Sequence, residues 1–390
     1  AGGMSGWKIL LLASSLTAMA AGCPEETDPR FLPTPAEKRT IGRLVEAFRQ
    51  KYDVPGLSLA ISRGGRLVFQ AAYGFADRNR GEMLTPRHLF RIASVSKPVT
   101  AAGILRLVEM GRLRLDDRVF GPGGILEDEY EVPPAGPLCR ITVDHLLTHT
   151  AGGWSNDGRD PMFRHPRLNA RELIARTLAE VPPEHAPGSR HAYSNFGYCV
   201  LGRVIEKVTG RPYETWIRQN ILMPAGAAGM RVARNGWAGR APDEVTYECR
   251  DGDPYRLNIR RMDAHGGWLA TPTDLVAFAN SVDGFRPAGD LLRPETIRLM
   301  TTPGARSPCY ARGWAVNASG NWWHSGSLPG TTAILVRTSD DFCWAAVANT
   351  RTKGMVRDLD RLMWTIRNAV PAWRVARPDA GSSRRAGGPE

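Results

Sequence analysis

Lysine is scarce in this chain of 390 residues, and the other basic residues are not clustered. Of 51 basic residues only six are lysines, namely Lys8, Lys38, Lys51, Lys97, Lys207 and Lys353. No five basic residues stand in a row and no nucleic-acid-binding module is recognisable, so the net charge of +12 does not predict a nucleic-acid partner. A codon-usage bias toward arginine is the plain explanation. Because arginine does not give up its proton, each lysine is nevertheless a candidate for chemistry that arginine cannot perform.

Long apolar runs and cysteine pairs are also missing. No internal apolar run approaches the ~20 residues of a transmembrane helix, which excludes a polytopic membrane protein. The six cysteines include no C-x-x-C pair, which argues against a zinc ribbon or a thioredoxin-type site, and their pairing stays open. His145 and His149 have the spacing of a helical metal pair, but no glutamate follows His145. We therefore predict no metal and no cofactor.

The first residues have the layout of a secretory signal. After Met4 come one positive charge, an apolar stretch over 9–19 and then small residues. The segment that ends at Cys23 resembles a bacterial lipobox, although Ala20 stands where leucine is usual. We predict a signal peptide over 1–22 and an exported bacterial protein that is periplasmic or held at the membrane by a lipid on Cys23. A plain signal peptide with an incidental cysteine is the alternative.

Composition divides the remaining chain into three parts. Residues 23–35 are polar and rich in proline, which is typical of a linker. Residues 36–372 carry the periodic apolar patterns of one folded domain. Residues 373–390 have few apolar side chains and are predicted to be disordered.

Helical and strand patterns within the domain predict its fold class. Two strands flank a turn at Gly64, and a helix is predicted over 94–110. The middle, roughly 115–300, consists of short helices and loops. A series of four strands starts at Trp314, and a last helix is predicted over 355–370. The predicted fold is α+β, with one antiparallel sheet from the N- and C-terminal strands, helices on its faces and an inserted helical lobe.

A serine and a lysine stand one helical turn apart near the start of the helix predicted over 94–110. The i, i+3 spacing brings Ser94 and Lys97 together on one face. A serine hydroxyl needs a base to act as a nucleophile, and a buried, neutral lysine can be that base. The S-x-x-K pattern alone is weak, because a second match lies at Ser5, inside the predicted signal peptide.

A second motif, Tyr193-Ser-Asn195, follows a Pro/Gly-rich loop and opens another predicted helix. A phenol can relay a proton between nucleophile and leaving group, and an amide can hold both a substrate oxygen and a lysine amine. The alternative is a turn tyrosine followed by an asparagine that caps the helix.

The third motif, His324-Ser-Gly326-Ser327, lies on a predicted strand. His265 begins a second H-x-G match, but the strand-rich C-terminal part suits a site beside Ser94 better. Backbone N–H groups of Ser94 and Ser327 can then converge as an oxyanion hole.

In this order and sequence context the three motifs resemble those of the penicillin-recognising serine hydrolases. The branch is that of class C β-lactamases, D-Ala-D-Ala carboxypeptidases, D-aminopeptidases and family VIII esterases, and the resemblance covers about 40–370. Segments such as LFRIASVSKPVTA, ITVDHLLTHTAGG and HSGSLPG carry it as well. The resemblance implies the β-lactamase/transpeptidase-like fold and an acyl-enzyme mechanism. It does not identify the substrate.

The resemblance also implies a role for each motif residue. Ser94 is expected to be the acylated nucleophile and Lys97 its general base, with Tyr193 assisting proton transfer. Asn195 is expected to bind a substrate amide or ester oxygen. The N–H groups of Ser94 and Ser327 are expected to form the oxyanion hole, with His324 and Gly326 on the substrate-binding strand.

Several activities remain compatible with these residues. The expected substrate is a small ester, an amide or a D-amino-acid peptide, and peptidoglycan is a further candidate partner. Esterase or D,D-peptidase activity is favoured over β-lactamase activity, and a non-catalytic member that binds peptidoglycan is the alternative from another class. The acyl donor, the acyl acceptor and the oligomeric state stay open.

His324 stands where β-lactamases of this type carry the lysine of Lys-Thr-Gly. An imidazole with an ordinary pKa of ~6.5 is mostly neutral at pH 7.5 and donates one hydrogen bond without a full charge. Uncharged esters or amides are therefore expected to be better substrates than anionic β-lactams. Activity on carboxylates is expected to improve as the pH falls toward 6, and Arg337 on the next strand is a candidate replacement for the missing charge.

Overall fold

The structure is a computed structural model that describes residues 31–285 and 289–374. The predicted signal peptide, Cys23 and residues 375–390 lie outside the described residues.

The helices are α1 Pro35–Tyr52, α2 Ser96–Glu109, α3 Val143–Leu147, α4 Ala170–Glu180, α5 Asn195–Thr209, α6 Tyr213–Ile217, α7 Pro272–Asn280, α8 Pro294–Thr301, α9 Met355–Ala369 and α10 Pro371–Arg374. The strands are β1 Gly56–Arg63, β2 Arg66–Asp77, β3 Glu82–Met83, β4 Phe90–Arg91, β5 Arg231–Val232, β6 Glu248–Cys249, β7 Trp268–Ala270, β8 Ala315–Val316, β9 Trp322–Leu328, β10 Thr331–Arg337, β11 Phe342–Ala348 and β12 Thr350–Arg351.

The main sheet joins the two ends of the chain, as predicted. Its strand order is β3-β2-β1-β11-β10-β9-β8, and each neighbouring pair is antiparallel. The N-terminal strand β1 therefore pairs directly with the C-terminal strand β11. The α+β fold class and the composition of the sheet are confirmed.

Helices cover both faces of the sheet, which explains why its central strands are apolar throughout. Every residue of β1, β10 and β11 is buried. On one face α1 packs against α9, and Lys51 and Tyr52 of α1 both bond the Asp358 carboxylate of α9, at 2.6 and 2.7 Å. On the other face α7 packs against β1 and β11. Strands buried on two faces lack the alternating pattern of a half-exposed strand.

The folded part extends slightly beyond the predicted domain at both ends. Thr34 and Glu37 form a capping box at the start of α1, so the helix begins inside the segment predicted as linker. Trp373 is fully buried, and its indole N–H donates to the carbonyl of Phe31 at 2.8 Å. Phe31, Thr34 and Trp373 therefore pack with the domain predicted over 36–372.

The helical lobe lies between β4 and β7 in the chain and packs on α2. Its helix α5 is buried over Asn195–Ile205 and contacts both α2 and α3. The helix predicted over 94–110 starts differently from the expectation: Ala93–Val95 form a 3₁₀ turn, and α2 begins at Ser96.

None of the cysteines in the described part forms a disulfide. No helix within residues 31–285 and 289–374 is long and apolar enough to cross a membrane.

Candidate active site

Ser94 lies in the 3₁₀ turn that links β4 to α2. The turn is anchored on one side, where the Ile92 N–H donates to the carbonyl of Trp268 at 3.0 Å. Ala93, the residue before the serine, is buried in a left-handed conformation with φ of 48°. That conformation is strained for a residue with a Cβ, and such strain is concentrated at functional sites. The sharp turn leaves the Ser94 side chain half-exposed above the first turn of α2.

Lys97 is fully buried and makes three polar contacts through its Nζ. It donates to Asn195 Oδ1 at 2.7 Å and to the His265 carbonyl at 3.2 Å, and it lies 3.0 Å from Ser94 Oγ. The amide oxygen and the carbonyl can only accept. An uncharged amine has two hydrogens, which these two acceptors occupy, and its lone pair then faces the Ser94 hydroxyl.

Burial lowers the pKa of Lys97 to about 7, and the negative charge of Asp160 opposes this shift. A charged ammonium loses its hydration in this pocket, which favours the neutral amine. Near neutral pH a substantial fraction of Lys97 is therefore unprotonated and can take a proton from Ser94.

Tyr193 is held at the start of α5 by backbone contacts from two loops. The carbonyl of Tyr193 accepts from the Asn156 N–H at 2.7 Å. The next residue, Ser194, caps α5 and donates its N–H to His149 Nδ1 at 3.0 Å. His149 is buried against the Tyr193 ring, with 4.2 Å between the ring centroids. His149 therefore positions the start of α5, through its hydrogen bond with Ser194 and its contact with the Tyr193 ring.

The Tyr193 phenol lies beside both Ser94 and Lys97. The ring centroid is 4.7 Å from Lys97 Nζ. Burial raises the pKa of Tyr193 above its usual value, and a hydrogen bond with Ser94 partly opposes that shift. The phenol therefore keeps its proton near neutral pH. It can pass a proton on, but Lys97 is better suited as the group that accepts the first one.

Asn195 contributes to the lysine site rather than to the cavity wall. Its Oδ1 accepts from Lys97, and its Nδ2 donates to Asp160 Oδ2 at 2.7 Å. The side chain is buried and does not line the cavity beside Ser94. The amide oxygen of Asn195 thus contacts Lys97, as predicted. The NH₂ group of Asn195, which was expected to donate to a substrate oxygen, donates to Asp160 instead.

His324 is buried and its hydrogen bonds define its tautomer. Its Nδ1 lies 2.7 Å from the carbonyl of Ser325, which can only accept, so Nδ1 carries the hydrogen. Its Nε2 lies 3.1 Å from the Tyr310 hydroxyl, which then donates to it. Burial lowers the pKa of His324 to about 3. The imidazole is therefore neutral across the physiological range, and its one N–H is already used.

Two expectations about charge on this strand are therefore wrong. His324 does not become cationic near pH 6, because burial removes the water that would stabilise its charge. Arg337 does not replace that charge. Its guanidinium donates to the carbonyls of Asp283 and Gly320 and stacks 3.8 Å from the ring of Trp322, away from the cavity.

A cavity of about 350 Å³ opens beside Ser94. Its wall consists of Ser94, Asn156, Tyr193, Tyr310, Ala315, Trp323, His324, Ser325 and Ser327. None of these lining side chains, all in the described part of the chain, carries a full charge. Strand β9 alternates between buried residues and the less buried Trp323, Ser325 and Ser327. The face that carries these three side chains forms a wall of the cavity. The wall of the cavity beside Ser94 is therefore neutral, with aromatic and polar side chains.

Gly326 explains why β9 approaches the serine turn so closely. A Cβ on this residue would lie 2.2 Å from the carbonyl oxygen of Ile92 and 3.1 Å from the Cβ of Ala93. Only glycine allows the two backbones to pack at this distance. The contact brings Ser327 and Ser94 to one cavity, which is the arrangement that an oxyanion hole needs.

We expect Gly326→Ala to separate β9 from the Ser94 turn. The rate of Ser94 labelling by a fluorophosphonate should fall by about a hundredfold, because small displacements of reacting groups are costly. Stability should fall by about 1–3 kcal/mol from overpacking, measured by chemical denaturation. The matched control is Gly304→Ala, where a Cβ meets nothing within 4 Å and φ is ordinary. Wild-type labelling in Gly326→Ala would contradict this account of the motif.

Several side chains at the site were not identified from the sequence, among them Asp160, Tyr310 and Asn156. Asp160 lies 35 positions before Asn195 and belongs to no motif. Tyr310 and Asn156 likewise stand in loops without a recognisable pattern. Asp160 precedes a proline, and this dipeptide is typical of a turn and not of a catalytic motif. No local signal could have located these residues, because their partners are distant in the chain.

The fold, with a serine and a tyrosine at one cavity and a buried lysine beside that serine, is that of the penicillin-recognising serine hydrolases. Residues 41–367 match the Beta-lactamase family, and the chain belongs to that family. No group of three or more histidine, cysteine or acidic side chains able to hold a metal occurs in residues 31–285 and 289–374.

Known relatives have different names within this class. Penicillin-binding protein 4* of Bacillus subtilis (strain 168) is 26% identical over 339 residues, which are 78% of this chain and 70% of the relative. Esterase EstB of Burkholderia gladioli is 33% identical over 233 residues, 55% of each chain. The structure of SurE with D-Leu matches with a TM-score of 0.67 and 26% identity, covering 88% of this chain and 78% of that one. These names support a serine hydrolase without fixing its substrate.

Proposed function

We propose that the protein hydrolyses an ester or amide bond through an acyl-enzyme on Ser94. The observation that carries this proposal is the buried Lys97, whose amine lies 3.0 Å from Ser94 Oγ and whose pKa burial lowers to about 7. A lysine in this state is costly to bury and suits a general base near neutral pH.

The proposed acylation step begins with attack of Ser94 Oγ on the substrate carbonyl carbon. The hydroxyl proton passes to Lys97 Nζ as the new C–O bond forms. The backbone N–H groups of Ser94 and Ser327 stabilise the oxyanion, since both residues line the cavity at which the carbonyl must lie.

Breakdown of the tetrahedral intermediate then needs a proton on the leaving group. Tyr193 supplies it from its phenol and regains a proton from Lys97, because both groups lie within reach of Ser94. The leaving alcohol or amine departs, and an ester to Ser94 remains. A water molecule enters by the same steps in reverse and releases the acid.

We further propose that the substrate is uncharged around the reacting bond. A carboxylate placed against β9 would meet neither a cation nor a free donor from His324, because Nδ1–H bonds Ser325 and Nε2 accepts from Tyr310. Esterase or amidase activity is therefore favoured over β-lactamase activity. The names of an esterase and of a D-amino acid amidase among the similar proteins support this choice.

We expect p-nitrophenyl butyrate to be turned over at least about tenfold faster, as kcat/KM, than mono-p-nitrophenyl succinate. The two esters have the same leaving group and differ in the end of the acyl chain, which is a methyl group in the butyrate and a carboxylate in the succinate. At this site the carboxylate finds no charge-assisted hydrogen bond, and the absence of such a bond costs about 1–3 kcal/mol. The ratio should stay constant between pH 6 and 8, since the low pKa of His324 keeps it neutral there.

Two variants sharpen this comparison. His324→Gln keeps the position neutral and should leave the ratio of the two kcat/KM values unchanged. His324→Lys adds a cation and should lower the ratio, because the succinate ester then gains a partner for its carboxylate. A wild-type enzyme that prefers the succinate ester, or whose ratio changes between pH 6 and 8, would contradict the proposed substrate class. Nitrocefin serves as the β-lactam reference in the same assay.

Export remains a separate proposal that depends on the first 23 residues alone. The apolar stretch over 9–19 and the lipobox-like segment that ends at Cys23 support it. A periplasmic or membrane-anchored hydrolase would meet peptidoglycan, which therefore stays a candidate partner.

A further inference from the structure

Asp160 is a buried carboxylate that none of the three motifs includes. It is 2% exposed and lies at the start of the 3₁₀ turn Pro161–Phe163. Its Oδ1 accepts from the Met162 N–H at 2.9 Å, and its Oδ2 accepts from Asn195 Nδ2 at 2.7 Å. Both oxygens face donors, so the geometry suits the ionised form, although burial raises the pKa of this carboxyl group.

The Asp160 carboxylate determines which way the Asn195 amide points. A carboxylate only accepts hydrogen bonds, so the NH₂ of Asn195 must face it and the amide oxygen must face Lys97. A reversed amide would direct a donor at Lys97 Nζ, where it would compete with the Ser94 hydroxyl for the lone pair of the neutral amine. The second fixed acceptor, the carbonyl of His265, completes the arrangement at 3.2 Å.

We propose that Asp160 is a positioning residue, which acts through Asn195 to direct the lone pair of Lys97 at the Ser94 hydroxyl. The inference rests on the proposed function, because it assumes that Lys97 is the base for Ser94. It assigns a catalytic consequence to a side chain that lies two hydrogen bonds away from Lys97.

The charge of Asp160 has a second effect on the same lysine. Other groups near Lys97 are uncharged: burial lowers the pKa values of His149, His265 and His324 and raises that of Tyr193. Asp160 is the charged group that acts on Lys97, and it favours the protonated amine. Its removal should therefore lower the pH at which Lys97 loses its proton.

The test follows the rate of Ser94 labelling by a fluorophosphonate as a function of pH, which requires no known substrate. In the wild type the rate should rise with pH to a plateau with a midpoint near 7. In Asp160→Asn the midpoint should move down by about one pH unit, as expected for loss of a nearby charge that favours the ammonium form of Lys97. The plateau should fall about tenfold, because the Asn195 amide is no longer fixed.

Asp157→Asn is the matched control. Asp157 lies in the same loop but is exposed and pairs with Arg159, so both midpoint and plateau should stay at wild-type values. A fall in the plateau of Asp160→Asn without movement of the midpoint would indicate a structural role only and would overturn the proposal.

A charge-swapped double variant, Asp160→Asn with Asn195→Asp, decides the matter even if the single variant folds poorly. An amide at position 160 can accept from Met162 and donate to position 195, so the hydrogen bonds are kept while the carboxylate moves next to Lys97. The midpoint should then rise above that of the wild type. A midpoint at or below the wild-type value would overturn the proposal. Absence of Ser94 labelling in the wild type at every pH would instead refute the proposed function, and this inference with it.

Discussion

Ser94→Ala is expected to abolish covalent labelling by a fluorophosphonate and to lower ester hydrolysis by at least about a thousandfold. The reason is geometric, because in the described part of the chain Ser94 is the serine whose Oγ lies 3.0 Å from a buried lysine amine. Removal of a nucleophile from such a unit leaves only the contribution of the oxyanion hole and of binding. Mass spectrometry of the labelled protein identifies the modified residue.

Two further serines serve as controls for this result. Ser96 is in the same motif, but its hydroxyl is buried and accepts from the Trp268 N–H at 3.4 Å. Ser58 is buried in β1 and donates to the carbonyl of Ala71. Ser96→Ala and Ser58→Ala should both keep the label. Labelling that persists in Ser94→Ala would refute the assignment of the nucleophile.

Lys97→Arg is expected to be nearly as damaging as Lys97→Ala, each lowering kcat/KM for p-nitrophenyl butyrate by at least about a hundredfold. A base must lose its proton at the working pH. Burial lowers the pKa of Lys97 to about 7, so the wild-type rate should rise with pH through 7 and then level off. A guanidinium keeps its charge far above that range. The Arg variant should therefore show no plateau up to about pH 10.

Lys207→Arg is the matched control for this substitution. Lys207 lies on α5 and pairs at the surface with Asp128, an interaction that arginine also makes. Its replacement should leave both the rate and the pH profile unchanged. An Lys97→Arg enzyme that kept more than about a tenth of wild-type activity would favour a purely electrostatic role for Lys97.

The protonation states at the site assign different roles to lysine and tyrosine. Burial acts on both groups in the direction of the neutral form, lowering the pKa of Lys97 and raising that of Tyr193. A neutral amine is ready to accept a proton and a neutral phenol is ready to give one. One physical cause thus provides an acid and a base within reach of the same hydroxyl.

The sequence predicted those features of this protein that depend on neighbouring residues. The approach of Ser94 to Lys97 follows from a spacing of three residues, which holds whether the turn is 3₁₀ or α-helical. The strands were recognisable from their apolar runs and turns. The order of the three motifs, with the resemblance that it carries, was sufficient to identify the fold.

Only the tertiary structure decided how those groups behave chemically. Asp160 reaches Asn195 across 35 positions of the chain, and no pattern in the sequence connects them. His324 was expected to titrate near pH 6, but burial against Tyr310 and the bond to Ser325 keep it neutral. A pKa and a tautomer depend on the water removed and the partners supplied by distant segments. Local spacing determines which residues can meet, whereas packing determines the charge that each carries when they do.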